Sequence, residues 1–334
     1  MTDSAVTDQI TTHEYEATQR PLTPMQAVFA WCSYPVVMGA AMAFALWKSA
    51  HLPERAGEPL WRIPIGDGIG VYQYDIELVI AYILPVVCVA MAVGLMEKLQ
   101  PFSRAWKPKW NDNVRSDIGI FFMNNVVLRA DVLVQFGMAA GLGLLAGGVG
   151  LGVWPDEWPV VLQVALFLLL AEFLSYWFHR LEHTWFPMWR IHSVHHNPRR
   201  LYWLNATRFH YFDIILLPLL GNLPCVILGA SVEVLYLATT FSVMHGFWQH
   251  CNARVRFGWL NYVVSSPELH RWHHMRDTKL ANHNYGSNLI VWDLVFGTWM
   301  LPKRDPDPLA IGVHEMEGDG VLKQLLMPFK LKAK

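Results

Sequence analysis

A chain of 334 residues with 53% apolar and 16% charged side chains is poorer in charge than a water-soluble globule, which carries about 25%, and its composition points to a membrane protein. The formal net charge of −1 gives no basic footprint for nucleic acid. The four cysteines, Cys32, Cys88, Cys225 and Cys251, have no CxxC spacing, which argues against a disulfide framework or a thiolate metal site.

Residues 1–26 are polar and slightly acidic, without the basic start and short apolar core of a signal peptide. A helix needs about 20 mostly apolar residues to cross a bilayer. Runs 27–47, 76–96, 132–154 and 160–178 meet that length, the third rich in glycine and the fourth interrupted only by Glu172. Between the second and third, 117–131 is amphiphilic, with Asn124, Asn125 and Arg129, and reads as an interfacial helix. Two further runs, 212–229 and 232–247, are weakened by Pro218, Pro224 and Glu233 and read as two spans or a shallow hairpin.

Basic residues give the orientation. Lys98, Arg104, Lys107, Lys109 and Arg115 fill one loop, and Arg180, Arg190, Arg199, Arg200 and Arg208 another. The positive-inside rule puts both on the cytoplasmic side, with two spans between them. The predicted class is all-α: a polytopic membrane helical bundle with a histidine-rich helical cap on its cytoplasmic side. Its divisions are a polar segment 1–26, membrane helices 27–159, a catalytic unit 160–301 and a tail 302–334. The run GLGLLAGGVGLG at 141–152 has glycine spacings like a dinucleotide loop but lies in a span, and is read as helix packing.

Three patterns carry the chemistry: His179 and His183 as HxxxH, His192, His195 and His196 as HxxHH, and His270, His273 and His274 as HxxHH. Positions i, i+3 and i+4 lie on one side of an α-helix, so each pattern is expected to aim its imidazoles in one direction. Pro198 ends the second helix, and Ser265-Ser266-Pro267-Glu268 supplies a helix start for the third. Neutral imidazole binds zinc, iron, copper or nickel. Eight such ligands exceed one tetrahedral shell, so two ions are expected.

The order HxxxH, HxxHH, HxxHH beside hydrophobic helices resembles the fatty acid hydroxylase/sterol desaturase superfamily, over roughly 160–301. Secondary marks agree: RFH at 208–210, GFWQH at 246–250 and NYGSNLIVWDLVFGTW at 284–299. The GFWQHCN segment is similar to the alkylglycerol monooxygenase-like and bacterial sterol-desaturase-like branches. The resemblance implies two iron ions held by histidine, O2 as co-substrate, and a lipid substrate that is hydroxylated or desaturated. It adds His250 as a ninth ligand. His245 is a further candidate only if the helix distorts locally, because i and i+5 diverge by about 140°. His210 and His283 are expected to be structural or to support ligands, and His13, His51 and His314 to be solvated.

A metal-bound histidine gives its second N–H to a carboxylate, carbonyl or water. Glu172, two turns before His179 and inside a span, and Asp293, by resemblance, are the expected partners. Glu182, Glu268 and Asp277 are further candidates, with Glu182 open to a surface role. Asn282, Asn284 and Tyr285 are expected to fix the loop leaving the site, and Arg208 to pair with Asp213 or a headgroup. With no flavin, haem or nicotinamide fingerprint, electrons are expected from a separate donor protein on the basic face. Two other readings fit the same residues: a sterol desaturase or sterol methyl oxidase with the same di-iron site, and a membrane zinc-binding or metal-transport protein.

Overall fold

The structure is a computed structural model that describes residues 21–54, 58–63, 69–108, 110, 114–124, 151–313 and 320–330. Most of the expected span 132–154, the later part of the interfacial helix 117–131, and His13 and His314 lie outside the described residues.

Helix α1, Pro24–Ala50, starts where Thr23 and Gln26 close a reciprocal cap: the Gln26 N–H meets Thr23 Oγ1 at 3.3 Å, and the Thr23 N–H meets Gln26 Oε1 at 3.0 Å. A short antiparallel ribbon follows, which the hydrophobic pattern did not announce. It pairs β1, Trp61–Ile63, with β2, Ile69–Val71, in the register Trp61 to Val71. Helix α2, Gln73–Leu99, returns against α1. Residues 114–124 are helical. Helix α3, Val160–Thr184, continues one and a half turns beyond the apolar run and so carries the first histidine pair. Trp185 then turns extended and Pro187 opens α4, Phe186–His196.

Helices α5, Tyr211–Leu228, and α6, Val232–Gln249, each pack on α3 and are joined through Gly229, whose φ of 109° needs a residue without Cβ. Pro218 and Pro224 sit inside α5 without ending it. Gly221 lets α5 meet α3 closely, since a Cβ there would stand 2.7 Å from Ser175 Oγ and 3.2 Å from the Ala171 carbonyl oxygen. Beyond them come α7, Pro267–His273, capped by Ser266, then a helical turn Thr278–Ala281, α8, Val291–Val295, and α9, Val321–Lys330.

Helices α1, α2, α3 and α5 are long and apolar enough to cross a membrane. Their outward faces confirm the composition: Val28, Trp31, Val36, Val79, Ile80, Leu84 and Met91 are all exposed, an arrangement suited to lipid and costly in water. Helix α6 is enclosed, packing on α1, α2 and α3 and burying Val234, Leu237, Ala238, Met244, Phe247 and Trp248. The end of the bundle where α3 and α6 finish and α5 begins gathers every described histidine except His51. At that end Gln100, just past α2, bonds the Gln26 carbonyl at the start of α1 and the Arg254 carbonyl beyond α6.

Candidate metal centre

Nine imidazoles meet in two groups. The first holds His179 and His183 from α3, His192 and His196 from α4, and His273 from α7. The second holds His195 from α4, His250 from the end of α6, and His270 and His274 from α7. The expectation that each pattern aims one way is therefore corrected. Each HxxHH sends its i and i+4 histidines to one group and its i+3 histidine to the other. Helical geometry explains the division: i and i+4 are about 40° apart, whereas i+3 and i+4 diverge by about 100°. The groups adjoin, with the His196 ring stacked 4.2 Å from that of His274.

Backbone carbonyls fix the tautomers. His179 Nδ1 donates to the Tyr285 carbonyl at 2.6 Å, His273 Nδ1 to that of His283 at 2.8 Å, and His195 Nδ1 to that of Arg208 at 3.2 Å. His250 Nδ1 donates to Asn205 Oδ1 at 3.1 Å. The Asn205 amide is itself fixed, because its oxygen accepts from the Tyr202 N–H and its nitrogen donates to the Arg200 carbonyl. A neutral imidazole that donates at Nδ1 carries a lone pair at Nε2. His179 Nε2 and His273 Nε2 nevertheless face each other at 3.1 Å. Two lone pairs at that distance repel unless a cation lies between them, so the donor set fits a metal.

The spacing adds to this. His179 and His192, His183 and His196, His250 and His270, and His270 and His274 bring their Nε2 atoms to 3.0, 3.1, 2.9 and 3.0 Å. With metal–nitrogen bonds of about 2.1 Å, a tetrahedral shell spaces its donors about 3.4 Å apart and a right-angled shell about 3.0 Å. The donors match the second. Burial holds His192, His195, His196, His270, His273 and His274 well below the ordinary imidazole range, and His250 at about 3, so all stay neutral and available as ligands.

His245 stands outside both groups. Its Nδ1 meets the Tyr34 hydroxyl at 2.8 Å and its Nε2 the Ser265 carbonyl at 2.9 Å. Helix α6 stays regular, so the distortion that would bring it round is absent. His210 accepts from the Phe212 N–H and donates to the Leu325 carbonyl, and His51 is exposed.

Glu172 and Asp293 do not touch a histidine; both pin the loop that does. Glu172 accepts the N–H groups of Ser287, Asn288 at 2.9 Å and Leu289 at 3.3 Å. Asp293 accepts those of Tyr285 and Gly286, each at 2.8 Å, and the Thr298 hydroxyl at 2.6 Å. Burial raises the Asp293 carboxyl, against the lowering effect of these donors. Asn284, held in the left-handed region at φ 57°, ties the same loop to the Leu269 and Met300 carbonyls. Glu268 instead binds Arg256, the Phe257 N–H and Asn261, and Asp277 caps the turn at Thr278–Ala281.

Two readings of charge are corrected. Glu182 is fully buried, not at the surface, with Oε2 3.4 Å from His192 Nδ1. Arg208 pairs with Asp117, leaving Asp213 Oδ2 3.5 Å from the same His192 nitrogen. Asp213 and Asn205 are supporting residues that sequence reasoning missed. An acid in the first turn of an apolar helix was a signal for Asp213; nothing in the sequence singled out Asn205.

Residues 164–298 match the fatty acid hydroxylase family. The chain is 36% identical over 245 residues to ornithine lipid hydroxylase OlsE of Rhizobium tropici, a match covering 72% of this chain and 73% of that relative. It is 30% identical over 129 residues to alkylglycerol monooxygenase of Homo sapiens, covering 39% of this chain and 28% of that one. It is 25% identical over 146 residues to methylsterol monooxygenase 2-2 of Arabidopsis thaliana, covering 43% and 54%. No solved structure matches the chain.

Proposed function

The chain belongs to the fatty acid hydroxylase family, and we propose on that premise that it is a multi-pass membrane hydroxylase that holds one iron in each imidazole group. The carrying observation is the pair of adjoining groups of five and four imidazoles with unprotonated nitrogens facing each other. Right-angled donor spacing suits six-coordinate iron better than a closed tetrahedral zinc site and supports that choice of metal. It also leaves positions open in both shells for other ligands.

When bound, two irons supply the redox chemistry that splits O2 with two electrons and two protons, putting one oxygen atom into a C–H bond and releasing the other as water. The protein's share is position and exclusion. Tyr285, His283, Arg208 and Asn205 hold four of the rings by their Nδ1–H groups, so the Nε2 lone pairs are aimed before a metal arrives. Glu172 and Asp293 hold the 285–289 backbone that carries the first of those acceptors. Helices α3 and α5 offer apolar surface to acyl chains.

The groups lie at the ends of the membrane-length helices, not midway along them. The carbon oxidised is accordingly one close to the headgroup, and an ornithine lipid, the substrate in the R. tropici relative's name, fits that depth. The histidines face the cytoplasm, where Arg180, Arg199 and Arg200 offer a separate electron-donor protein a basic surface. The catalytic unit is 160–301. Purified protein reconstituted with reductase, ornithine lipid and labelled O2 is expected to carry about two irons and to yield lipid heavier by one labelled oxygen. Reproducible zinc with no iron, in protein that turns over no lipid, overturns the reading.

A further inference from the structure

Helix α9 turns Gln324 and Pro328 inward. Gln324 is fully buried with its Oε1 3.0 Å from Asn197 Nδ2, and the Leu325 and Pro328 carbonyls accept from His210 Nε2 and Arg190 Nε. Its open side is apolar, with Leu322 68%, Leu326 43% and Phe329 60% exposed. At about 100° per residue these three fall within an arc of about 60°, and Lys323 and Lys330 line one edge of it, about 90° and about 70° from its centre. The chain continues with Lys332 and Lys334.

The neighbours of α9 give its depth. His210 caps the start of α5, a helix of membrane-crossing length, and the Phe329 ring lies 6.3 Å from the His210 ring. The apolar stripe therefore stands level with the end of a span, where acyl chains give way to headgroups. A lysine edge beside an apolar stripe is the arrangement that seats a helix in an anionic lipid surface.

We propose that α9 lies in the boundary layer of an anionic bilayer, with Leu322, Leu326 and Phe329 among the acyl chains and Lys323 and Lys330 at the phosphates. Arg190 and Asn197 bracket the three histidines of α4, and both bond α9. The membrane-seated helix thereby sets the height of α4, and with it the metal groups, relative to the lipid surface. This holds whichever lipid is oxidised.

The test uses the full chain in nanodiscs of phosphatidylcholine and phosphatidylglycerol, with Cys32→Ser and Cys88→Ser removing the exposed thiols. A fluorophore is placed at Leu326→Cys, or at exposed Lys279→Cys as the water-facing reference. Acyl-brominated lipid is expected to quench the label at 326 at least twofold and leave that at 279 unchanged. Aqueous iodide is expected to quench 279 at least threefold more than 326. Adding Lys323→Glu and Lys330→Glu is expected to bring the iodide response at 326 toward that at 279. Equal iodide access at both sites in the parent overturns the proposal. Protection of 326 from both quenchers also overturns it, since another protein surface then covers the stripe.

Discussion

The two imidazole groups differ in how their rings are held. In the first, His179 and His273 donate to backbone carbonyls, and His192 Nδ1 points at the Glu182 and Asp213 carboxyls. In the second, His195 and His250 have acceptors, while the buried Nδ1 atoms of His270 and His274 have no hydrogen-bond partner. His192 Nδ1 likewise has no hydrogen-bond partner, so what sets the first group apart is the buried carboxyl pair 3.4 and 3.5 Å from that nitrogen.

The largest test of that contrast is removal of one ligand from each side. His273→Ala is expected to cost turnover roughly a thousandfold or more, as loss of a metal centre does. Iron should fall toward one per chain, with helix content unchanged by circular dichroism. His270→Ala should do the same from the other side. If either variant empties both groups, the two are one cooperative site.

A smaller effect is expected from Asn205→Ala, which removes the side-chain acceptor of His250 Nδ1. Loss of such a support lowers metal affinity about 10–100-fold. Chelator competition should show weakening of one of the two irons and no change in the other. Glu172→Gln is milder again, because it alters a loop anchor one step removed from His179. Metal content is expected to stay normal while turnover falls; normal turnover would make Glu172 a purely structural anchor.

Acid bears on both groups alike. In metal-free protein His250 titrates near 3, not at the open-chain 6.5, and burial lowers His195, His270 and His274 in the same direction. Between those values the unfolded chain binds a proton that the folded chain refuses. Stability is thus whole above 6.5 and is lost as the pH falls toward 3, by up to about 1.4 kcal/mol per histidine for each pH unit. Melting temperature followed from pH 7.5 to 5 should decline in the metal-free protein and far less in the loaded one. The smallest effect belongs to His245→Gln, which breaks bonds to Tyr34 and Ser265 worth about 1 kcal/mol each and should leave both irons in place.

Much of this was legible beforehand because it depends on local rules. The helices followed from run length, α7 from its serine–proline start, and the end of α4 from Pro198. The ribbon β1–β2 escaped because three-residue strands are too short to show a period. Arg208 was expected to pair with Asp213, close by in sequence, or with a headgroup, whereas folding brings it Asp117 from 91 positions away. Which face of α9 meets the protein is invisible in its sequence, since an amphipathic pattern does not say so.

The order of residues, then, settled that eight histidines stand at helical spacing beside apolar helices, for backbone pitch and hydropathy are properties of neighbours along the chain. Only the folded chain decided that His195 leaves its neighbours to join α7, that His273 crosses the other way, and that carbonyls of Tyr285, His283 and Arg208 orient the rings. Those choices rest on the angle at which separate helices meet and on backbone atoms that every residue possesses, and neither is written in side-chain identity.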